Sequence, residues 1–182
     1  GSGLYNVGLG TNALLNLSTG EGNVAVGRNA GDALTTTSNT VLIGYDAGTS
    51  INSTDANGTV AIGYAAGAAI TSGRYNTAIG HNALDAEDDG DGNTAVGYNA
   101  LTAQTGTSGI VGNTAVGYNA GQSITSAVGN VAVGYNAVAG VTANGACVGI
   151  GYEAGKFNQT GTGNVYIGYQ AGLGSFENSH SG

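Results

Sequence analysis

The sequence predicts an all-β protein, a parallel β-solenoid of about ten 17-residue coils. Three observations predict it. The decapeptide at 92–101, GNTAVGYNAL, recurs almost letter for letter at 112–121 and 129–138. A glycine following Val, Ile or Leu recurs at 10, 27, 44, 63, 80, 97, 117, 134, 151 and 168, so the period is 17 residues with two short insertions. Thirdly, Gly is 36 of 182 residues while Pro is absent and charged residues are 8%. Collagen would need Gly at every third position. A disordered tail would lack the regularly spaced β-branched residues and Tyr.

Each element of the coil follows from its position around this anchor glycine. Three residues before it stand Val7, Val24, Val41, Val60, Thr77, Thr94, Thr114, Val131, Val148 and Val165. One before it stand Leu9, Val26, Ile43, Ile62, Ile79, Val96, Val116, Val133, Ile150 and Ile167. These are strand formers at period two, expected to fill the interior. Between them lies Ala or Gly, except at Leu42 and Tyr166. That face is expected to be bare and to let a second backbone approach, so Ala78, Ala95, Ala115 and Ala132 are expected at an interface between copies.

After the anchor comes an aromatic in most coils (Tyr45, Tyr64, Tyr98, Tyr118, Tyr135, Tyr152, Tyr169, with His81 in one), then a polar residue, usually Asn, then Ala in all ten. An invariant Ala implies no room beyond its Cβ. The Gly that often follows suits a corner at positive φ. Seven residues past the anchor, Leu17, Leu34, Ile51, Ile70, Ile124 and Val141 predict a second, shorter strand, interrupted by Glu87, Gln104, Asn158 and Ser175. The recurring Asn6, Asn23, Asn76, Asn93, Asn113, Asn130 and Asn164 predict a corner where Asn bonds nearby backbone or adopts positive φ. Identical positions then lie above one another, about 4.8 Å apart, so every coil must present the same shape to its neighbours. The whole chain, 1–182, reads as one repeat domain, with Gly1-Ser2 as a cloning remnant and 176–182 as a tail.

Charge narrows the function. The net charge is −8, and Arg28, Arg74 and Lys156 are the only strong bases. Three bases cannot neutralise a phosphate backbone, so no nucleic-acid partner is expected. No apolar run reaches the roughly 18 residues of a membrane span, and the stretch shows no signal peptide. Cys147 is the one cysteine. It reads as a small buried filler, with an intermolecular disulfide as the alternative.

The motif N-[TV]-A-[VI]-G, at 23–27, 76–80, 93–97, 113–117 and 130–134, resembles the head repeat of YadA-like trimeric autotransporter adhesins and the GNTAVGYNA arrays of phage tail fibres. The resemblance covers nearly the whole chain. It implies a left-handed parallel β-roll, a homotrimer, and a structural or adhesive role outside the cell or on a virion, with a host receptor or glycan as partner. The 17-residue period departs from the roughly fourteen residues common in adhesin heads.

Candidate sites are few. The segment 85–93, DAEDDGDGN, carries Asp85, Glu87, Asp88, Asp89 and Asp91. Its alternating carboxylates suggest a Ca²⁺ loop through Asp85, Glu87, Asp89 and Asp91, although no Glu closes it; the alternative is a solvated acidic bulge with that wall open or turned outward. Tyr98, Tyr118, Tyr135 and Tyr152 are either a platform for sugar rings or structural rings along the roll. His81 continues that stripe. The insertions at 49–59 and 102–113 are expected to bulge from one face and to bind. No catalytic constellation is supported by spacing, and a glycosidase pair such as Asp46 with Glu153 would need an irregular cleft. No enzymatic activity is expected. An ice-binding solenoid is the second functional reading, weakened by the lack of regular Thr rows.

Overall fold

The computed structural model describes residues 3–105, 108–142, 145–157 and 161–174. The tail at 176–182 with His180, and Asn158 and Ser175 of the second apolar row, lie outside the described residues.

The chain is a parallel β-solenoid. Ten three-residue strands stack in chain order into one parallel sheet: β1 (Val7–Leu9), β2 (Val24–Val26), β3 (Val41–Ile43), β4 (Val60–Ile62), β5 (Thr77–Ile79), β7 (Thr94–Val96), β9 (Thr114–Val116), β10 (Val131–Val133), β11 (Val148–Ile150) and β12 (Val165–Ile167). Two-residue strands β6 (Gly90–Asp91) and β8 (Gly109–Ile110) form a small second sheet. The register matches the repeat. Val7 pairs with Val24, and across the insertions Val41 pairs with Val60 and Thr94 with Thr114.

The strands face the other way from the expectation. Ala25, Leu42, Ala61, Ala78, Ala95, Ala115 and Ala132 are fully buried inside the coil, while the flanking Val, Ile and Thr point outward and are half-buried or exposed. Ala78, Ala95, Ala115 and Ala132 therefore cannot form an interface between copies. The physical reason is width. A coil this thin has space for little more than a methyl on the strand, because the opposite wall sends Leu34, Ile51, Ile70, Ile124 and Val141 across to fill the interior. The third position after the anchor is equally tight. Ala30, Ala47, Ala66, Ala83, Ala100, Ala120, Ala137 and Ala154 are all 0% exposed.

Among the described residues that opposite wall is not a second strand. Apart from the β6–β8 pairing, it is a stack of turns joined coil to coil by bonds such as Ser18 N to Thr35 O at 2.9 Å and Thr125 N to Thr142 O at 2.9 Å. Its apolar side chains nonetheless point inward as the sequence predicts.

Core volume is exchanged between two rows. Leu42 takes the strand slot that is usually Ala, and it lies over Gly31 and Gly48, whose added Cβ atoms would each come within 2.7 Å of it. Where the strand slot is Ala95, the corresponding corner positions carry Leu84 and Leu101, both fully buried. Tyr166 is accommodated in the same manner over Gly155 and Gly172.

The "GN" corner divides its labour. The residue before the Asn takes positive φ (Gly22, Gly92, Gly112 and Gly129 among them), whereas the Asn itself turns inward. Asn23 N donates to Asn6 Oδ1 at 2.8 Å, Asn93 N to Asn76 Oδ1 at 2.8 Å, and Asn130 N to Asn113 Oδ1 at 2.8 Å. The side-chain amides also reach the next coil's corner, as Asn76 Nδ2 does to Gly90 O at 2.7 Å. This internal ladder satisfies polar groups that burial would otherwise penalise.

Cys147 occupies a rung of that ladder and is buried. Its N–H donates to Asn130 Oδ1 at 3.0 Å, but its Sγ lies 3.7 Å from Gly161 O, where an Asn amide would donate a full hydrogen bond. Cys147→Asn is expected to raise the unfolding free energy by about 1 kcal/mol. Urea melts of the two chains check this, and an unchanged midpoint contradicts it.

Candidate functional site

The Tyr row is a continuous ring stack. Tyr45, Tyr64, His81, Tyr98, Tyr118, Tyr135, Tyr152 and Tyr169 follow one another with centroids 4.8–5.5 Å apart and interplanar angles of 10–25°. His81 continues the stripe as expected. Arg28 closes the Tyr45 end, its guanidinium 5.2 Å from that ring's centroid and its Nη1 donating to Tyr45 Oη at 2.7 Å. Tyr98, Tyr118, Tyr135 and Tyr152 thus have both faces covered by neighbouring rings. They expose their edges, and a sugar ring has no open face there to lie on. The row serves the rod itself, each contact adding about 0.5–1.5 kcal/mol beyond buried area.

Beneath it runs a second polar row. Asn12, Asn29, Asp46, Asn82, Asn99, Asn119, Asn136, Glu153 and Gln170 all hold φ near +50° to +61°. This is the left-handed conformation that Asn tolerates best. Asn29 Nδ2 donates to Asp46 Oδ1 at 2.9 Å. Glu153 accepts from Lys156 Nζ at 2.6 Å and Gln170 Nε2 at 3.0 Å, and these donors hold its carboxyl below the usual range. Asp46 and Glu153 sit six rungs apart, roughly 29 Å at 4.8 Å per rung, and cannot flank one glycosidic bond.

The acidic segment does not converge on a cation as the sequence suggests. Asp85 Oδ1 accepts from Thr102 Oγ1 at 2.6 Å, and Asp91 Oδ1 accepts from the Arg74 N–H at 2.8 Å. Glu87, expected to turn outward, is fully buried in the interior column between Ile70 and Gln104. Its Oε1 accepts from Gly90 N at 2.8 Å and Asp88 N at 3.1 Å, and Asn93 Nδ2 lies 3.4 Å from Oε2. None of the four is exposed: Asp85, Asp89 and Asp91 are half-buried, and it is Asp88 that stands exposed on the bulge. The close acidic group is instead Glu87, Asp88 and Asp89, with one ligand atom each within 4.8 Å of the others. A Ca²⁺ ion takes six to eight oxygens, and Asp85, Glu87, Asp89 and Asp91 do not fit that demand.

Burial pushes the Glu87 carboxyl above the usual carboxylate range, with the Gly90 and Asp88 N–H groups offsetting part of the rise. A raised folded pKa means that the folded state holds the proton more tightly than the unfolded chain. The group's contribution to stability is full below its ordinary pKa and is lost as pH rises through the folded value. Unfolding free energies measured from pH 4 to 8 should show the wild type losing ground to Glu87→Gln as pH rises. A pH-independent difference would contradict this. Glu153, lowered by its Lys156 and Gln170 donors, is common to both chains and drops out of the comparison, whereas Asp89 is one of the charges that raise Glu87 and its effect is part of the difference measured.

The insertions are the other irregular feature, and stacking brings them together. The first carries a 3-10 turn, Thr54–Ala56, capped by Ser53, whose hydroxyl accepts from Asp55 N at 3.1 Å. The second carries β8, which pairs with β6 two coils after that turn. Between them lie Arg74 and the acidic bulge, with Arg74 Nη2 bound to Asp55 Oδ1 at 2.9 Å. Sequence reasoning flagged both insertions and the acids but not Arg74, because nothing in its own coil marks it.

No helix among the described residues is long and apolar enough to cross a membrane. No family model, no curated protein and no solved structure matches this chain.

Proposed function

We propose that the chain is a structural and adhesive fibre segment, assembled as a homotrimer and displayed outside the cell or on a virion for attachment to a host or surface. One observation carries the reading. The outward face of the ten-stranded sheet is an unbroken double row of Val, Ile, Leu and Thr, half-exposed along its middle and at 64% and 67% for Val165 and Ile167 in the last strand. At about 4.8 Å per strand this strip runs roughly 43 Å. A continuous apolar strip of that length marks an interaction surface. The Val/Ile face is therefore the interface proposed between protomers. Resemblance of the repeat to trimeric adhesin heads and tail fibres supports the number three and the attachment role.

Light scattering tests it. The wild type should run at three times its 17.6 kDa protomer mass. Ile79→Asp with Val133→Asp, both outward and clear of the core, should yield folded monomers. A monomeric wild type at micromolar concentration overturns the assembly.

The ice-binding reading gains one observation. Thr77, Thr94 and Thr114 are consecutive register partners on this same outward face. Seven of the ten strands carry Val there instead, so the fibre reading is preferred. Thermal hysteresis in a cooled solution would reverse that preference.

A further inference from the structure

Both insertions border one cleft of about 290 Å³, walled by Asp55 from the first and Ser108 from the second. Its floor comes from the two coils between them, through Ser72, Arg74, Asp89 and Asp91. Four consecutive coils thus build a concave polar site where the two insertions interrupt the repeat. The floor is fixed by main-chain bonds rather than loosely draped. Asp91 pairs with Ile110 across β6–β8, its carbonyl accepts from Val111 N at 3.1 Å and Gly112 N at 3.2 Å, and its carboxylate accepts from Arg74 N. Asp55 holds the Arg74 guanidinium at 2.9 Å, using one of that group's five N–H donors.

We propose that this cleft binds an uncharged or amino-bearing oligosaccharide. Sugar hydroxyls donate and accept at once. The cleft offers carboxylate acceptors, guanidinium donors and two serine hydroxyls within one concavity, which is the mixture such hydroxyls need. Beside Arg74, Tyr75 stands outside the ring stack, 70% exposed, with Cδ1 3.0 Å from where a Cβ on Gly58 would sit. Tyr75 follows Arg74 in the chain but does not line the cleft, so the sugar contacts inside it are polar. Three carboxylates against one guanidinium give a negative field that turns away acidic glycans. The inference rests on the adhesive reading, and it places the receptor contact on the flank of the rod.

The intact chain is applied to immobilised maltoheptaose, galactotriose, chitotriose and sialyllactose. Retention on at least one of the first three and none on sialyllactose is expected. Affinity for the retained sugar should fall at least tenfold in Arg74→Ala and in the isosteric Asp91→Asn and Asp89→Asn, with melting curves confirming the fold. Tyr135→Ala, in the ring stack, should bind as the wild type does. Failure to retain any of the three, preference for sialyllactose, or wild-type affinity in the cleft variants each overturns the cleft. A trimer that binds sugar through unaltered cleft variants keeps the adhesive reading and loses this one.

Discussion

Gly97→Ala is expected to destabilise the chain by about 4 kcal/mol, a large fraction of an ordinary domain's stability. All ten anchor glycines hold φ between +123° and +140°, a region closed to L side chains. At Gly97 a Cβ would also be driven into the carbonyl of Gly117 in the next coil. Neither can give way, because Gly97 N donates to Ile79 O at 2.7 Å and Gly117 N to Val96 O at 2.8 Å. Gly168→Ala separates the two causes. Its φ is +123° but nothing lies within 4 Å of its added Cβ, so it should lose only the backbone term, about 1–3 kcal/mol. Urea melts of both variants check the difference. Equal losses would show that the column of close backbone contacts contributes nothing.

Ala95→Leu should cost about 3 kcal/mol, while Ala61→Leu should cost about half as much. Both alanines are fully buried at the same position in the coil. Ala95 lies between corner positions filled by Leu84 and Leu101, whereas Ala61 lies between Gly48 and Gly67. Leu42 already shows that a leucine fits over such glycines, and because Leu42 itself covers Gly48, only the Gly67 side of Ala61 can receive another. The comparison uses identical chemistry at two rungs, and thermal midpoints are sufficient to read it. Equal costs would contradict the exchange of volume between strand and corner.

The repeat, its register, the buried invariant Ala and the inward Leu34–Val141 row were legible in the sequence, because each follows from period and side-chain size. Which strand face is interior was not. Alternation of Val-Ala-Val defines two faces but does not say which is inside, and hydrophobicity points to the wrong one when the interior is too narrow for Val. Glu87 misled for a related reason. A carboxylate is expected outside, yet here two backbone N–H groups of its own turn satisfy it within the core column. The cleft was visible only as unconnected pieces. Asp55 and Ser108 are remote in the chain, and they meet because a solenoid brings residues a few coils apart onto one corner.

The ladder of near-identical rungs also sets how such a chain can change in length. Each rung hands its successor the same hydrogen-bond edge and the same anchor glycine, so whole coils can be lost or gained with the stack kept, while shorter insertions are absorbed at the corners, as the two in this chain are. A gene encoding near-verbatim 17-residue units is prone to misaligned recombination, which removes or duplicates such units. The length of the rod is thereby counted in steps of about 4.8 Å, and the offspring of one recombination event differ in span while keeping the same hydrogen-bonded stack.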